Sequence, residues 1–537
     1  RAAIARAIGE ITDNREVQAA LTPIGKGKLS GIYDYSKKSE MVIDYVADLG
    51  DGWDATYSVA RAIASPQLEF GDEQLRRGEV LVMGGDEVYP GPSTLGYLER
   101  TVAPYRAACA VGEDFEADLF ALPGNHDWYD GLHAFTALFC RVDHDYQIRD
   151  GHEFSCWRTR QQRSYFALRL PHNWWLCGVD VQLDDRLNAT QLDYFQTISN
   201  RVIENGDKII LCAAKPSWVL EQTSDPGATR NLTDIAEIFE ENGAELKLVL
   251  AGDLHHYSHY VPDDAGPHLV TAGGGGAFAH PTHKLPEKVE VSWRDGRRED
   301  YTGGEPCPDQ TVSRALSYKN LLFPFLNGGF SLMIGGIYAV LVWFLETRRL
   351  SSGDDMGTSL GRAMDGHLSV EATLVRFFET IPKSPEFAIV VLAMVASLTA
   401  FNISTPLPRK IMLGLGHSLV HFVTLVASYC ITIEFIAMTQ LPVGIPFAGL
   451  LIFLGVMVAI GAVLGGFVFG AFLLFSLNVM NLQWTNAFSS LRIEDYKNFL
   501  RLKIDKNGHL TVYPVGIERT GQEPSPPHLI EPGFDIK

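Results

Sequence analysis

The chain has 537 residues, of which 46% are hydrophobic and 20% charged, and its formal net charge is −19. This length exceeds what one ordinary hydrophobic core accommodates, so several domains are expected. Domains that bind nucleic acid usually carry basic faces, so the negative charge argues against a nucleic-acid partner.

Residues 1–40 are predicted to form an N-terminal helical extension and residues 41–315 an α/β domain. In that domain short apolar segments alternate with longer mixed ones, which is typical of strands covered on both faces of a sheet. The apolar segments are Met41–Ala47, Val80–Met83, Leu119–Leu122, Trp174–Val179, Lys208–Ala213 and Leu246–Ala251. Ligands of α/β sheets bind at strand ends, so the site is expected on the loops that follow these segments.

Four of the predicted strand ends carry side chains suited to a metal ion or a phosphate group. These side chains are Asp48, Asp86, Asn125, His126, Asp127, Asp253 and His255. Carboxylate, amide and imidazole groups that converge in this way can hold hard or borderline divalent metals. Asp86 can bridge two ions at the roughly 3.5–4 Å spacing of two-metal phosphoryl-transfer sites.

In their order and spacing these motifs resemble those of the calcineurin-like metallophosphoesterase family, over about residues 40–285. The resemblance rests on Gly85-Asp86, on Gly124-Asn125-His126-Asp127 and on Gly252-Asp253-Leu254-His255. It implies a two-sheet αββα sandwich with metal-dependent phosphoesterase activity. It assigns His126 to catalysis beside the phosphate. Asp127, the next residue in the chain, is expected to hold the His126 imidazole in one orientation. The metal ligands that it implies are Asp48, Asp86, Asn125, Asp253 and His255.

The sequence departs from the family pattern at three ligand positions. Gly50 replaces the His of the first motif, Asp253 replaces a later His, and Ala213-Ala214-Lys215-Pro216 lacks the His expected before the Pro. Fewer imidazoles and more oxygen donors favour Mn²⁺ or Mg²⁺ in one or two sites, with Fe and Zn as alternatives. A catalytically degenerate sensor or regulatory domain therefore stays open beside a hydrolase.

Four further residues are candidates for substrate binding. Lys215 can place an ammonium group where a metal would otherwise bind, and His256, His280 and His283 follow the last motif closely. Each residue also has an ordinary interpretation, as a solvated lysine or as a packing histidine.

Residues 316–480 are predicted to form an α-helical transmembrane domain. The apolar segments are Leu321–Glu346, Phe387–Phe401, Ile411–Met438 and Val443–Met480. Because a span needs about 20 apolar residues, at least four crossings are expected, which makes the chain a multi-pass integral membrane protein with the lipid bilayer as a partner. His417 and His421 share one helix face inside it, either for a function or for interhelical hydrogen bonding.

Residues 481–537 are predicted to form a soluble β-rich tail, with a hairpin around Asp505-Lys506-Asn507-Gly508. The seven scattered cysteines fit a reducing compartment. Together with the lack of an apolar leader near Arg1, they favour a cytoplasmic α/β domain. The large membrane part favours a lipid-linked phosphate ester or one at the membrane surface. A transporter or channel regulated by the α/β domain is the alternative, and homo-oligomerisation stays open.

Overall fold

The computed structural model describes residues 14–27, 29–111, 115–140, 153–181, 187–351, 370–402, 405–439 and 446–537. The chain forms two compact units. The sandwich unit comprises residues up to Arg314 together with Arg492–Lys537, and the helical unit comprises Ala315–Leu491. The sequence-based division made residues 481–537 a separate tail, whereas residues 492–537 belong to the sandwich unit. Of the predicted N-terminal extension, residues 1–13 lie outside the described residues.

The strands form a nine-stranded sheet, an eight-stranded sheet and a two-stranded ribbon. In chain order they are β1 (Tyr33–Asp34), β2 (Met41–Val46), β3 (Gln67–Phe70), β4 (Glu73–Arg76), β5 (Val80–Met83), β6 (Ala117–Ala121), β7 (Trp157–Thr159), β8 (Phe166–Arg169), β9 (Trp174–Val179), β10 (Lys208–Ala213), β11 (Glu245–Ala251), β12 (Tyr257–Pro262), β13 (His268–Ala272), β14 (Lys288–Ser292), β15 (Arg298–Gly303), β16 (Lys497–Ile504), β17 (Leu510–Ile517), β18 (His528–Leu529) and β19 (Phe534–Ile536). The nine-stranded sheet has the order β1-β8-β9-β10-β11-β13-β12-β15-β14. The other large sheet has the order β18-β17-β16-β2-β5-β6-β7, with β19 beside β17.

The described α-helices are mostly short in the sandwich unit, whereas the helical unit contains long apolar helices. In chain order they are α1 (Asn14–Leu21), α2 (Trp53–Ala64), α3 (Thr94–Tyr97), α4 (Ala103–Val111), α5 (His133–Phe139), α6 (Ala189–Val202), α7 (Ser217–Thr223), α8 (Arg230–Glu240), α9 (Gln310–Ser317), α10 (Phe323–Leu326), α11 (Gly328–Ser351), α12 (Val370–Thr380), α13 (Pro385–Ala400), α14 (Leu407–Thr439), α15 (Pro446–Asn478) and α16 (Trp484–Ser489). The apolar strand segments read from the sequence match β2, β5, β6, β9, β10 and β11 to within two residues at each end.

The two large sheets share one apolar core, and helices cover their outer faces. Ile43 of β2 and Leu250 of β11 belong to the core between the sheets. On the outer faces, Leu81 packs in a cluster with Val59 of α2, and Val249 packs in a cluster with α8. The predicted αββα sandwich is therefore confirmed, and its strand-end loops lie where parallel strands of each sheet terminate.

The chain after the helical unit completes the sandwich. Strand β16 pairs antiparallel with β2, which places Leu502 opposite Ile43, and β17 pairs with β16. The predicted hairpin is confirmed, because β16 and β17 flank a tight turn in which Gly508 adopts φ +82°. The strand β2 that leads to Asp48 is therefore held between β5 and a strand from the far end of the sequence.

The helical unit holds three described helices long and apolar enough to cross a membrane, within Gly328–Glu346, Leu407–Thr439 and Gly449–Asn478. The prediction of at least four spans is met in part: three helices qualify alone, and a fourth span depends on α13, which has only 16 residues. It reaches the required length only together with the preceding helix, as a pair bent by 93°. The bend has a local cause, since Ser384 caps α13 by accepting a hydrogen bond from the Phe387 N–H and Pro385 begins the helix.

One pair of cysteines contradicts the expectation of unpaired thiols. Cys109 and Cys156 are joined by a disulfide, with their Cα atoms 6.0 Å apart. Their separation of 47 residues along the chain concealed the pairing in the sequence. Cysteine usage therefore does not place the sandwich unit in the cytoplasm.

Candidate functional site

Three aspartates at strand ends share an unusual backbone conformation. Asp48 follows β2, Asp86 follows β5 and Asp253 follows β11, with φ angles of 61°, 53° and 65°. Residues other than glycine rarely adopt positive φ, and such strain costs about 1–3 kcal/mol at each position. The backbone of these loops therefore fixes the direction in which each of the three carboxylates leaves its strand end.

The hydroxyl group of Tyr89 lies at the meeting point of these loops. Its oxygen is 2.9 Å from Oδ1 of Asp48, 3.0 Å from Oδ2 of Asp86 and 2.9 Å from Nε2 of His255. The backbone N–H of Asp253 donates to the other Asp48 oxygen over 2.9 Å. Tyr89 is a site residue that the sequence reasoning missed, although it stands three positions after Asp86 in Gly85-Asp86-Glu87-Val88-Tyr89.

The absence of a His at position 50 has a structural cause. Gly50 adopts φ +62°, and a Cβ atom there would lie 2.4 Å from the backbone oxygen of Glu87. The Gly50 carbonyl also accepts a hydrogen bond from the N–H of Tyr89 over 3.1 Å. The backbone at position 50 is thus packed against the segment that brings in Tyr89, and the phenol occupies the space beside Asp48.

The second missing His falls where backbones approach closely. Ala214 is buried, and its carbonyl accepts a hydrogen bond from the N–H of Gly252 over 3.3 Å. A Cβ atom on Gly85 would lie 3.1 Å from the Ala214 methyl group. A small side chain at position 214 therefore fits between the loops that carry Asp86 and Asp253.

Asn125 presents an oxygen atom to the site. Its Nδ2 donates to the Tyr129 hydroxyl over 3.2 Å, while its Oδ1 is buried and has no hydrogen-bond partner among the described residues. The adjacent Gly124 lies so close to Asp86 that a Cβ atom there would be 2.1 Å from Oδ1. The amide is therefore oriented by Tyr129 with its acceptor atom left for a ligand.

His126 lies at the edge of this group, between two tyrosine rings. Its ring centroid is 4.2 Å from that of Tyr89 and 4.9 Å from that of Tyr129. Its Nδ1 lies 3.2 Å from the Pro90 carbonyl oxygen, so Nδ1 carries the proton and Nε2 remains to meet a ligand oxygen. Burial lowers the pKa of His126 to about 4.

The expected contact between Asp127 and the His126 ring is corrected by the structure. The Asp127 carboxylate accepts hydrogen bonds from the N–H groups of Gly124, at 2.8 Å, and Glu87, at 3.3 Å, and from the Tyr97 hydroxyl. Asp127 is buried behind the loop. It therefore shapes the loop that carries Asn125 and His126, and the Pro90 carbonyl orients the imidazole instead.

His255 reaches the site with a defined tautomer. Its Nδ1 lies 2.7 Å from the Phe278 carbonyl oxygen and so donates its proton there, which leaves the Nε2 lone pair directed at Tyr89. His280 stacks on His255 with ring centroids 4.0 Å apart, and its Nε2 has no partner among the described residues. Of the four candidates for substrate binding, His280 is the one that the structure places against a site residue.

The other three substrate-binding candidates lie in different surroundings. His256 is buried, and neither of its ring nitrogens has a partner among the described residues. His283 pairs through Nδ1 with the Ser313 hydroxyl over 2.8 Å, which ties it to α9. Lys215 lines a small cavity with side chains from β9, β10 and α8.

The negative charges of the clustered aspartates favour a bound cation. Burial and the charge of Asp86 raise the pKa of Asp48, and burial with the charges of Asp127 and Asp253 raises that of Asp86. One O–H proton on Tyr89 cannot serve three acceptors at once. Among the described residues no three His, Cys, Asp or Glu side chains are grouped so as to hold an ion. The Tyr89 hydroxyl lies within hydrogen-bond distance of Asp48, Asp86 and His255. Divalent cations favour such buried carboxylate, amide and phenol oxygens, so the donor set fits a metal centre.

Comparisons with solved structures find remote likenesses. The chain resembles the purple acid phosphatase PPD1 from yellow lupin (Lupinus luteus) seeds at 12% identity and a TM-score of 0.32, covering 50% of this chain and 54% of that one. It also resembles PhoD at 11% identity and a TM-score of 0.28, covering 45% of this chain and 58% of that one. The chain thus spans little more than half the length of these structures.

The family comparison is more specific. The sequence finds no match among curated proteins, whereas the family model for calcineurin-like phosphoesterases matches residues 41–257. The match begins at β2 and ends after His255, so it encloses all the loops that form the site. Residues 41–257 of this chain are therefore similar to the calcineurin-like phosphoesterase family.

Proposed function

We propose that the chain is a metal-dependent phosphoesterase that hydrolyses a phosphate ester. The observation that carries this proposal is the buried, unpartnered Oδ1 of Asn125, whose chain neighbours Gly124 and His126 both contact the Asp86 carboxylate. A buried acceptor without a partner costs about 1–3 kcal/mol, and three strained aspartates add to that cost. A bound cation would satisfy all of these groups together.

The donor set defines what the centre would bind. Its oxygen-rich composition favours Mn²⁺ or Mg²⁺, with Fe or Zn²⁺ as alternatives. The residues that would hold one or two ions are Asp48, Asp86, Asn125, Asp253 and His255, with the phenol oxygen of Tyr89 as a further donor. Bound divalent ions supply Lewis-acid polarisation of the phosphate ester and neutralise its charge.

The protein's own side chains supply position and hydrogen bonds. Tyr129 holds the Asn125 amide, and the Pro90 carbonyl holds His126 with Nε2 available to a phosphoryl or leaving-group oxygen. The Phe278 carbonyl fixes the His255 ring in the same way. These fixed orientations reduce the reorganisation that substrate binding requires.

The helical unit points to a substrate at a membrane. Three apolar helices far exceed what a simple anchor requires. We infer that the chain is an integral membrane protein and that its ester is lipid-linked or presented at the membrane surface.

A sensor without hydrolytic activity is the second candidate. Gly50 and Ala214 stand where two imidazole ligands are expected, so the centre is poorer in nitrogen ligands than its family. Metal binding could then report on a phosphate ligand or regulate the helical unit without turnover.

One set of assays separates these functions. The purified full chain, with Mn²⁺ or with chelator, is given p-nitrophenyl phosphate, bis(p-nitrophenyl) phosphate and a lipid phosphate in mixed micelles. We expect metal-dependent hydrolysis that falls by about 10²-fold or more in Asn125→Ala and His126→Ala. Asn200→Ala, at an exposed position of α6, should leave the rate unchanged.

The outcomes discriminate clearly. Bound metal without hydrolysis of any ester supports the sensor. Equal turnover of soluble and lipid esters contradicts a lipid-linked substrate. A purified protein with no bound metal and no activity toward any ester would refute both functions.

A further inference from the structure

The buried face of α14 carries two histidines inside an apolar helix. His417 and His421 are one helical turn apart, and their exposed fractions are only 4% and 3%. The helix lies within a candidate membrane span. Ionisable side chains at such depth are costly and need a specific reason.

These histidines belong to a chain of hydrogen bonds. The Tyr338 hydroxyl, from α11, lies 2.6 Å from Nδ1 of His421, and Nε2 of His421 lies 3.1 Å from Nε2 of His417. Phenol and imidazole can each donate on one side and accept on the other. The three side chains thus form a continuous line from one helix to another.

Helix packing accounts for His421 but not for His417. The Tyr338–His421 hydrogen bond ties α11 to α14. His417 bonds only within its own helix among the described contacts, its ring stacks on Phe472 with centroids 3.9 Å apart, and its Nδ1 has no described partner. An apolar residue would pack there without leaving a polar atom unsatisfied.

A metal site does not account for the pair either. Among the described residues no third His, Cys, Asp or Glu joins the two imidazoles to hold an ion. Helix α15, which packs against α11 and α14, carries no titratable side chain at all. Glu346 of α11 bonds instead to Tyr429, two helical turns further along α14, over 2.6 Å. The other titratable side chains described on the helices around α14 belong to α12 and α13. They are Glu371, Arg376, Glu379 and Glu386.

We propose that Tyr338, His421 and His417 form a proton-transfer site inside the membrane, a role that rests on the membrane insertion inferred above. In one step the Tyr338 O–H proton moves to Nδ1 of His421, the proton on Nε2 of His421 moves to Nε2 of His417, and the proton on Nδ1 of His417 passes to a water molecule, which becomes a hydronium ion. A hydronium ion on the opposite side returns a proton to the Tyr338 oxygen. One proton enters and one departs, each bond to hydrogen that breaks is matched by one that forms, and only the tautomers of the two imidazoles change. The relay therefore requires water to reach Nδ1 of His417, the ring nitrogen of the pair that has no described partner.

The test is proton flux through the full chain reconstituted in vesicles of phosphatidylcholine and phosphatidylglycerol that contain a pH-sensitive dye. Under an imposed pH difference, with the membrane potential clamped, the wild-type protein should dissipate the gradient faster than protein-free vesicles. His417→Gln, His421→Gln and Tyr338→Phe should each lose this protein-dependent flux. Tyr429→Phe removes the described hydrogen bond between Tyr429 of α14 and Glu346 of α11. This variant should keep the protein-dependent proton flux.

Several results would overturn the proposal. Wild-type flux equal to that of protein-free vesicles would do so without any variant. A correctly folded His417→Gln protein whose proton flux equals that of the wild type would also overturn it. So would a metal ion that is tightly bound in the wild type and lost in His417→Gln. Phosphoesterase activity measured on the same variants should be unchanged, so failure of the relay is distinguishable from failure of the proposed hydrolase.

Discussion

The Tyr89 hydroxyl oxygen lies 2.9 Å from Nε2 of His255, and this contact joins the two large sheets at the site. Tyr89 follows β5 in the eight-stranded sheet, and His255 follows β11 in the nine-stranded sheet. Because the other nitrogen of His255 is held by a backbone carbonyl, the geometry of this contact is fixed from both sides. The phenol therefore links all the strand-end loops of the site.

Replacing this phenol should weaken metal binding while leaving the fold intact. In Tyr89→Phe the carboxylates of Asp48 and Asp86 lose a shared oxygen neighbour, and Mn²⁺ affinity should fall by about 10- to 100-fold, as it does when partners of metal ligands are lost. Isothermal titration calorimetry measures this change. Tyr45→Phe is the matched control, because the buried Tyr45 hydroxyl has no described partner. Equal Mn²⁺ affinities in Tyr89→Phe and Tyr45→Phe would show that the Tyr89 hydroxyl does not contribute to metal binding.

A single methyl group at Gly124 should disable the centre. Its Cβ would lie 2.1 Å from Oδ1 of Asp86, which is far inside van der Waals contact, so Gly124→Ala must displace the carboxylate. We expect loss of bound metal, measured by elemental analysis of the purified protein. Gly27→Ala meets no atom within 4 Å and should retain the wild-type metal content. Normal metal content in Gly124→Ala would show that Asp86 is not a ligand.

The C-terminal strand should contribute strongly to the stability of the sandwich. Arg501 of β16 binds Asp44 of β2 through two hydrogen bonds of 2.7 and 3.1 Å, and both residues are fully buried. Arg501→Met leaves a buried carboxylate without its partner, which costs about 3–5 kcal/mol. Denaturant unfolding followed by tryptophan fluorescence should show this loss, whereas Lys506→Met in the exposed turn should change stability by about 0.5 kcal/mol or less.

A double variant completes that experiment. Asp44→Leu combined with Arg501→Met removes both charges, so it should recover much of the stability lost by Arg501→Met alone. Additive losses in the double variant would mean that the two residues do not act as a pair.

Acid should loosen the C-terminal residues 528–536 from the sandwich. Glu531 Oε1 lies 2.9 Å from Nδ1 of His259, and Nε2 of His259 lies 2.9 Å from Nδ1 of His268. Burial and the charge of His259 lower the pKa of His268 to about 4 from an ordinary 6.5. The unfolded chain then binds more protons between these values, so stability falls as the pH drops through this window. Burial raises the pKa of Glu531, but hydrogen bonds from His259 and Tyr257 outweigh it and lower the pKa overall, so its contribution is lost at still lower pH.

Hydrogen exchange of residues 528–536 against pH measures this effect. His268→Gln should flatten the change between pH 6.5 and about 4, while His509→Gln, at an exposed turn position, should behave like the wild type. Exchange rates with the same pH dependence in all three proteins would contradict the role of His268.

The sequence was sufficient for the sandwich because its strands are buried on both faces. Such strands appear as continuous apolar segments, and Asp48, Asp86 and Asp253 follow them directly. The partner of β2 could not be predicted in the same way. Strand β16 lies beyond the whole helical unit, and no local pattern records a pairing over that distance.

The site was predicted only as far as the family motif extends. The motif assigned Asn125 and His126, but Tyr89 has no place in it and was recognised only from three distances to its hydroxyl. Asp127 was misjudged because adjacency in sequence favours a contact with His126, whereas the turn directs its carboxylate inward to backbone N–H groups. Side-chain direction within a turn depends on backbone angles that residue type alone does not determine.

Metal content is the most direct test of the central claim that the strand-end loops form a divalent-metal centre. The full chain is dialysed against Mn²⁺, freed of unbound ions, and analysed for manganese beside Asp86→Asn, which keeps the size of the side chain and removes its charge. We predict one or two tightly bound ions per chain in the wild type and their loss in Asp86→Asn. Wild-type protein that retains no manganese, or Asp86→Asn protein that retains as much as the wild type, would contradict the account.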